Sequence, residues 1–323
     1  MNNEELNLPK TAFKFDYSKY MLIFVLLALV IVSGILSPSF LKVQNILDII
    51  WQSSYVGIIA VGVTFVMIAG GIDLSVGSLT ALLGAIAITS INIMGGSTLS
   101  MLLTILITIA AGLIMGFGMG MLIVKGKVAP FIATLAGLAI YRSLVLNFAN
   151  GGEYVAIPSD FSIMGMGSFA GLPIPMIVFI IFSIIAQIIL SDTKFGRYVY
   201  AVGANEKTAL YSAIKIGKIK ILTYMISGLS VAITAILLSS MMSSVSSSTT
   251  GLNYELMALE AAVIGGTSLS GGKGTIWGTF VGAIILGVIN NMLVMLNVAV
   301  YLQGAFQGFI IIIAVLLQNI GKK

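Results

Sequence analysis

The sequence has no cysteine and no histidine among its 323 residues, and only 8% of them are charged. Without cysteine there are no disulfides, thiol nucleophiles or thiolate metal ligands. Without histidine there is no imidazole acid–base chemistry and no Cys/His zinc site. A soluble domain carries roughly a quarter charged residues, so that class is excluded as well. What is present is apolar: 59% of residues are hydrophobic and the mean hydropathy is +1.12. Runs of about 20 apolar residues span a bilayer. The sequence therefore reads as all-α, a polytopic helical membrane protein, with no cofactor and no metal site expected.

Apolar runs place helices near 20–36, 50–69, 76–94, 100–124, 129–149, 175–190, 221–240, 255–266, 275–293 and 301–318. The eighth is short, carries Glu255 and Glu260, and suits a broken or half-crossing helix. The expected organisation is a cytoplasmic segment 1–19, a transmembrane domain 20–318 and a tail 319–323. The polar start lacks the basic region and cleavage site of a signal peptide, so the run from Met21 to Leu36 is read as retained. With the N-terminus inside and a crossing at every helix, all of the 16 basic residues except Lys42 and Arg142 fall on the inside. That is the positive-inside pattern, and it puts both termini in the cytoplasm. The net charge of +5 then reflects topology, not nucleic-acid binding. Two connections are long where most loops are short. Residues 150–174 form a Gly/Ser/Pro-rich outer loop. Residues 191–220 form an inner loop carrying Lys194, Arg197, Lys207, Lys215, Lys218 and Lys220.

One phrase occurs twice. "GGIDLSVG" at 70–77 returns as "GGTSLSGG" at 265–272, and "LLGAIAITSINIM" at 82–94 aligns with "FVGAIILGVINNM" at 280–292. Repeated halves interrupted at corresponding places are a transporter signature, with the pathway near the repeat interface. Crossing at every helix puts both phrases on one side of the membrane, whereas inverted repeats would separate them. Ser75 and Ser270 are expected to cap the helices that follow. Asp73 is read as a cap or packing anchor, with a substrate or gate contact as the sharper alternative. "GGKGT" at 271–275 is not a phosphate-binding loop: Thr267 stands where its first glycine belongs, and Gly274 follows Lys273.

The phrases "GGIDLSVGSLTAL", "KGKVAPFIATL", "TKFGRYVYAVGANEKTALYSAIKIGKIKI" and "YELMALEAAVIGGTSLSGGKGTIWGTFVGAIILGVINN" follow in order along nearly the whole chain. In them the sequence resembles the ribose-type permeases of bacterial ABC importers. The resemblance implies a ten-helix fold like that of the vitamin B12 importer permease. It implies a homo- or heterodimer in the inner membrane, a cytoplasmic ATPase below it, and a soluble binding protein delivering a monosaccharide from outside. It also implies that the inner loop docks on the ATPase through Gly203, Ala204, Asn205, Glu206, Lys207, Ala209, Leu210, Ala213 and Ile214. Read by spacing, Ala209, Leu210, Ala213 and Ile214 are expected on one helical face.

One departure stands out. Met257 occupies the place where the family commonly has Asp, and Glu260 falls where a small residue is usual. A shift of three positions keeps the acid on nearly the same helix face, and acids inside membranes are functional suspects. Candidate pathway residues are thus Asp73, Ser75, Gln52, Asn147, Glu260, Asn290 and Asn291. Ser53, Ser54 and Gln303 are further polar residues within spans. Amides and hydroxyls of this kind match sugar hydroxyls, although interhelical bonding is their commoner use. Other readings are an ion-coupled secondary transporter working through Asp73 and Glu260, or an ABC permease for a non-sugar such as autoinducer-2 or a nucleoside. An ion-coupled carrier needs no ATPase dock, so the inner loop separates these classes.

Overall fold

The computed structural model describes residues 17–299 together with 302, 304–306, 308, 309 and 312. The expected segment 1–19 lies mostly outside the described residues, as does most of the run 301–318 with Gln303. The tail 319–323 lies wholly outside them.

In chain order the helices are α1 (Tyr17–Leu36), α2 (Val43–Ile68), α3 (Val76–Met94), α4 (Thr98–Val124) and α5 (Pro130–Phe148), then α6 (Ile163–Met166), α7 (Ile174–Asp192), α8 (Lys194–Ala204) and α9 (Glu206–Tyr211), and finally α10 (Ile216–Met242), α11 (Tyr254–Ile264) and α12 (Ile276–Met295). Seven of them, α2, α3, α4, α5, α7, α10 and α12, are long and apolar enough to cross a membrane, and α1 adds the shorter apolar run Met21–Leu36. This is a polytopic helical membrane protein. A helix satisfies its own backbone, which is why apolar runs in lipid take that form.

The loop 150–174 is more ordered than its composition suggests. Strand β1 (Glu153–Val155) pairs antiparallel with β4 (Ser244–Ser246), in the register Glu153↔Ser246, Tyr154↔Val245 and Val155↔Ser244. Strands β2 (Ser168–Phe169) and β3 (Leu172–Pro173) form a small hairpin before α7.

The core is built around α2. Every residue from Ser53 to Ile68 is buried, so α2 is apolar on all sides, as a central helix must be. α10, α12, α11 and α7 surround it. Between membrane helices there is little hydrophobic driving force, so close approach and interhelical hydrogen bonds do the work. The seam between α4 and α10 uses Gly112, Gly116 and Gly120, four residues apart. A methyl group on any of them would overlap α10 backbone at Gly228, Tyr224 or Ile221. Buried hydroxyls bridge other seams. Thr64 meets Thr279 at 2.7 Å between α2 and α12, and Thr234 donates to the Tyr55 carbonyl at 3.1 Å between α10 and α2.

α11 has eleven residues. At about 1.5 Å per residue it covers roughly half of a ~30 Å hydrocarbon layer. Irregular chain precedes it. After pairing with β1 the segment 247–253 descends until the Gly251 carbonyl and the Glu255 carboxylate rest against the α carbon of Gly77. Non-helical backbone at this depth must be satisfied by protein. Arg142, from α5, supplies much of that: its guanidinium donates to the carbonyls of Ser247 and Thr250, each at 2.9 Å. The half-buried Arg142 is thus a strut between α5 and the chain before α11.

Candidate functional site

Both glycine phrases are helix-terminating turns of one type. At the end of α2 the amide of Gly70 donates to the Met67 carbonyl and that of Gly71 to the Val66 carbonyl, both at 2.9 Å. Gly70 has φ +80. At the end of α11, Gly266 donates to Val263 and Thr267 to Ala262, again both at 2.9 Å, with Gly266 at φ +89. Such a six-residue closure needs a left-handed residue, which glycine supplies without a steric penalty. The structural register is one residue later than the sequence alignment: Gly266, not Gly265, stands where Gly70 stands.

Past the first turn, Asp73 is 4% exposed. One carboxylate oxygen accepts from the Ser75 amide at 3.0 Å and the Ser75 hydroxyl at 2.6 Å. The other accepts from the Ser227 hydroxyl of α10 at 2.8 Å. Tyr224, one turn earlier on α10, donates to the Ile72 carbonyl at 3.1 Å. The break between α2 and α3 is therefore pinned to α10 by two side chains. Ser75 occupies the N-cap position of α3, but its side chain makes no capping bond; the hydroxyl is spent on Asp73. Ser270 does not cap α12 either. Thr275 does, accepting from the Gly278 amide at 3.0 Å. The capping expectation fails at both serines because nearer acceptors and a loop of different length intervene.

The two breaks meet. The Gly272 amide donates to the Ile68 carbonyl at 2.9 Å, and Gly271 lies against the α carbon of Gly70. Both phrases thus stand at one end of the bundle, as crossing at every helix requires.

The long loop 191–220 folds onto this junction. Thr193 caps α8 by accepting from the Gly196 amide at 3.2 Å. Asn205 caps α9 by accepting from the Thr208 amide at 3.0 Å. Glu206 is ion-paired with Lys220. Tyr200 donates to the Gly274 carbonyl at 2.7 Å, and burial pushes its phenol above the usual tyrosine range. Gly203 and Ala204 close α8 against the two breaks.

The expected helical face of Ala209, Leu210, Ala213 and Ile214 does not form. α9 ends at Tyr211, and Ala213 turns the chain at φ +58. Ala209 is 2% exposed and packs into the protein's own core. The protruding side chains are Leu210, 62% exposed, and Tyr211, 89% exposed. Lys207 is exposed beside them. Spacing alone missed the reversal because it assumed that α9 continues.

The remaining candidates are dispersed. Asn291 exchanges side-chain hydrogen bonds with Asn45 at 2.9 and 3.1 Å, tying α12 to the start of α2. Ser53 and Ser54 bond back to Ile49 and Ile50 within α2. Gln52 and Asn147 are exposed on α2 and α5, while Asn290 and Glu260 are half-buried on α12 and α11. Of the pathway set, Asp73 and Ser75 are joined directly. Sequence reasoning passed over Ser227, Tyr224, Tyr200 and Arg142. Only Arg142 carried a signal, as a cation within an apolar span.

This arrangement has a two-part helical frame, each part interrupted at the same end, with an exposed knob on the loop that touches both interruptions. Comparison with known proteins gives the same kind of molecule. The chain is 41% identical to a ribose import permease protein of Bacillus subtilis, covering 99% of both chains. It is 38% identical to a ribose import permease protein of Haemophilus influenzae, over 100% of this chain and 99% of that one. A xylose transport system permease protein of the same bacterium is 30% identical over 94% and 96%. No solved structure matches. A family model matches residues 45–315, and the chain belongs to the branched-chain amino acid transport system / permease component family.

Proposed function

We propose that this chain is the transmembrane subunit of a binding-protein-dependent ABC importer and forms the path for a monosaccharide, ribose or a similar pentose or hexose. The observation that carries the reading is full-length similarity to ribose import permease proteins at 38–41% identity. ATP hydrolysis resides on a separate cytoplasmic subunit, and an extracytoplasmic binding protein delivers the sugar. The exposed pair Leu210 and Tyr211, beside Lys207, supports the reading of 202–217 as the ATPase dock.

The chain resides in the bacterial inner membrane with both termini in the cytoplasm. Supporting this, Lys125, Lys194, Arg197, Lys207 and Lys218 all lie near the end that bears the helix breaks, as the positive-inside rule demands. The fold is the ten-helix type of the vitamin B12 importer permease. The working unit is a dimer, of this chain or with a sister permease. Ala136, Ala139, Ser143 and Asn147 form an exposed small and polar stripe on α5. Polar groups facing lipid are costly, so this stripe suits a second subunit or a wet path between the two. Asp73 and Ser75 brace that path, and Gln52, Asn147, Glu260, Asn290 and Asn291 are its candidate polar contacts.

The test is reconstitution in liposomes with the ATPase and binding protein. Labelled ribose should accumulate only with ATP. Accumulation by this chain alone under an ion gradient would instead make it a secondary transporter.

A further inference from the structure

We infer that Gly203 is the positioning residue through which the loop 191–220 drives both helix breaks at once. The inference rests on the permease reading above, and it assigns the step between ATPase docking and movement of the path.

The geometry is a three-way backbone contact. A methyl group on Gly203 would overlap the Ile68 carbonyl and lie 2.7 Å from the Gly272 amide. Those two groups are themselves hydrogen-bonded, at 2.9 Å. Gly203 therefore sits directly on a hydrogen bond that joins the first break to the second. The neighbouring backbone is equally close: a methyl on Gly271 would lie 2.9 Å from the Gly203 carbonyl oxygen and 3.0 Å from the Gly70 α carbon. A methyl on Gly272 would lie 2.8 Å from the Ala204 α carbon.

Two features make this contact a lever. First, α8 is anchored along its length: Val199 and Val202 are fully buried, and Phe195 stacks on Phe65 of α2 with centroids 6.3 Å apart. Second, Tyr200, one turn before Gly203, holds the Gly274 carbonyl at 2.7 Å. A displacement of α9 passes through Asn205 into the end of α8. There it meets backbone on both sides with no side chain between to absorb it. Packed contacts of this kind switch between discrete arrangements instead of deforming smoothly. The first break is in turn pinned to α10 through Asp73 and Tyr224, so its movement reaches the central helices.

The experiment uses the complete importer: this chain with its ATPase and binding protein, in liposomes with labelled ribose. Gly203 lies within the proposed dock 202–217, so Gly203→Ala is read only per ATPase bound, whereas Tyr200→Phe, outside the dock, should co-purify with the ATPase at the wild-type level. The variant measured first is Gly203→Ala. Its ratio of ribose moved to ATP hydrolysed should fall by about two- to thirtyfold, the range ordinary for coupling residues. A wild-type ratio would overturn the inference. If Gly203→Ala does not reach the membrane, Tyr200→Phe decides, because it removes one hydroxyl and adds no bulk. Its ratio should also fall, and an unchanged ratio overturns the inference. A second readout needs no partner: on the purified chain, Tyr200→Phe should speed amide exchange both in 265–275 and in 69–75. Unchanged exchange at the first break would reject the linkage. A wild-type chain that neither binds an ATPase nor moves ribose, with both breaks still responding together, would reject the permease reading and uphold the junction.

Discussion

Asp73 accepts a hydrogen bond from the Ser227 hydroxyl at 2.8 Å across 154 positions of sequence, and both side chains are buried. The carboxylate is the fastening between the first helix break and α10. Asp73→Ala strands the Ser75 amide and two hydroxyls inside the protein. It should cost about 2–4 kcal/mol, since hydrogen bonds to charged groups are worth ~1.5–3 kcal/mol and orphaned buried groups add to the loss. Asp73→Asn keeps the shape, and its amide can donate to Ser227, so the loss should be smaller. Thermal unfolding in detergent checks the order; equal losses for the two variants would show that charge, not hydrogen bonding, holds the break.

Arg142 supports the irregular segment before α11 by holding the carbonyls of Ser247 and Thr250. Arg142→Ala should destabilise by about 3 kcal/mol through two lost charge-assisted bonds. Arg142→Lys cannot present two parallel donors, so it should fall between. The same unfolding measurement decides, and wild-type stability in Arg142→Ala would mean that water or a neighbour satisfies those carbonyls.

Two glycines of α4 offer a paired test. A methyl on Gly116 overlaps the Tyr224 carbonyl, whereas nothing lies within 4 Å of one on Gly118. Gly116→Ala should push α4 from α10, costing about 1–3 kcal/mol as overpacking does. Gly118→Ala should be neutral or gain about 0.5–1 kcal/mol in helix preference. Membrane yield and melting temperature should separate the two; equal behaviour would mean that the seam yields readily.

For the proposed ATPase dock, the accessible side chains are Leu210 and Tyr211, while Ala209 is buried. Leu210→Ala with Tyr211→Ala should weaken ATPase co-purification by roughly tenfold, a loss above 1 kcal/mol being typical of an anchoring aromatic. Ala209→Trp should instead disrupt the loop itself, because Ala209 is buried in the core. Lys207→Ala should matter least, exposed charge pairs being worth about 0–1 kcal/mol. Full ATPase recovery with the double variant would place the dock nearer Lys125 and Lys127.

Glu260 lies half-buried on the interrupted helix α11. Glu260→Gln removes charge and keeps shape and hydrogen-bonding capacity. Ribose uptake should fall by about tenfold, equivalent to ~1.4 kcal/mol, at normal membrane yield. Unchanged uptake would leave Glu260 a structural carboxylate.

Much of the frame was legible locally. The spans are written as apolar length, which lipid converts directly into helix, and each break is written as a glycine pair, one member of which takes the left-handed turn. α11 was marked as short by its two acids. The two phrases were legible as equivalents, though one residue out of register, since a turn is defined by its hydrogen bonds and not by letter matches.

What tertiary structure decided was which groups meet. Asp73 reads in the sequence as a cap or packing anchor, but the sequence shows only what stands next to it. Its hydroxyl partner arrives on α10, and only the glycine seam with α4 lets that helix dock. Ala209 and Leu210 exchanged roles because Ala213 ends the turn that spacing assumed would continue. The contact of Gly203 with Ile68 and Gly272 unites three distant stretches through backbone atoms. Such atoms are the same at every residue, so no pattern of side chains announces which of them will touch.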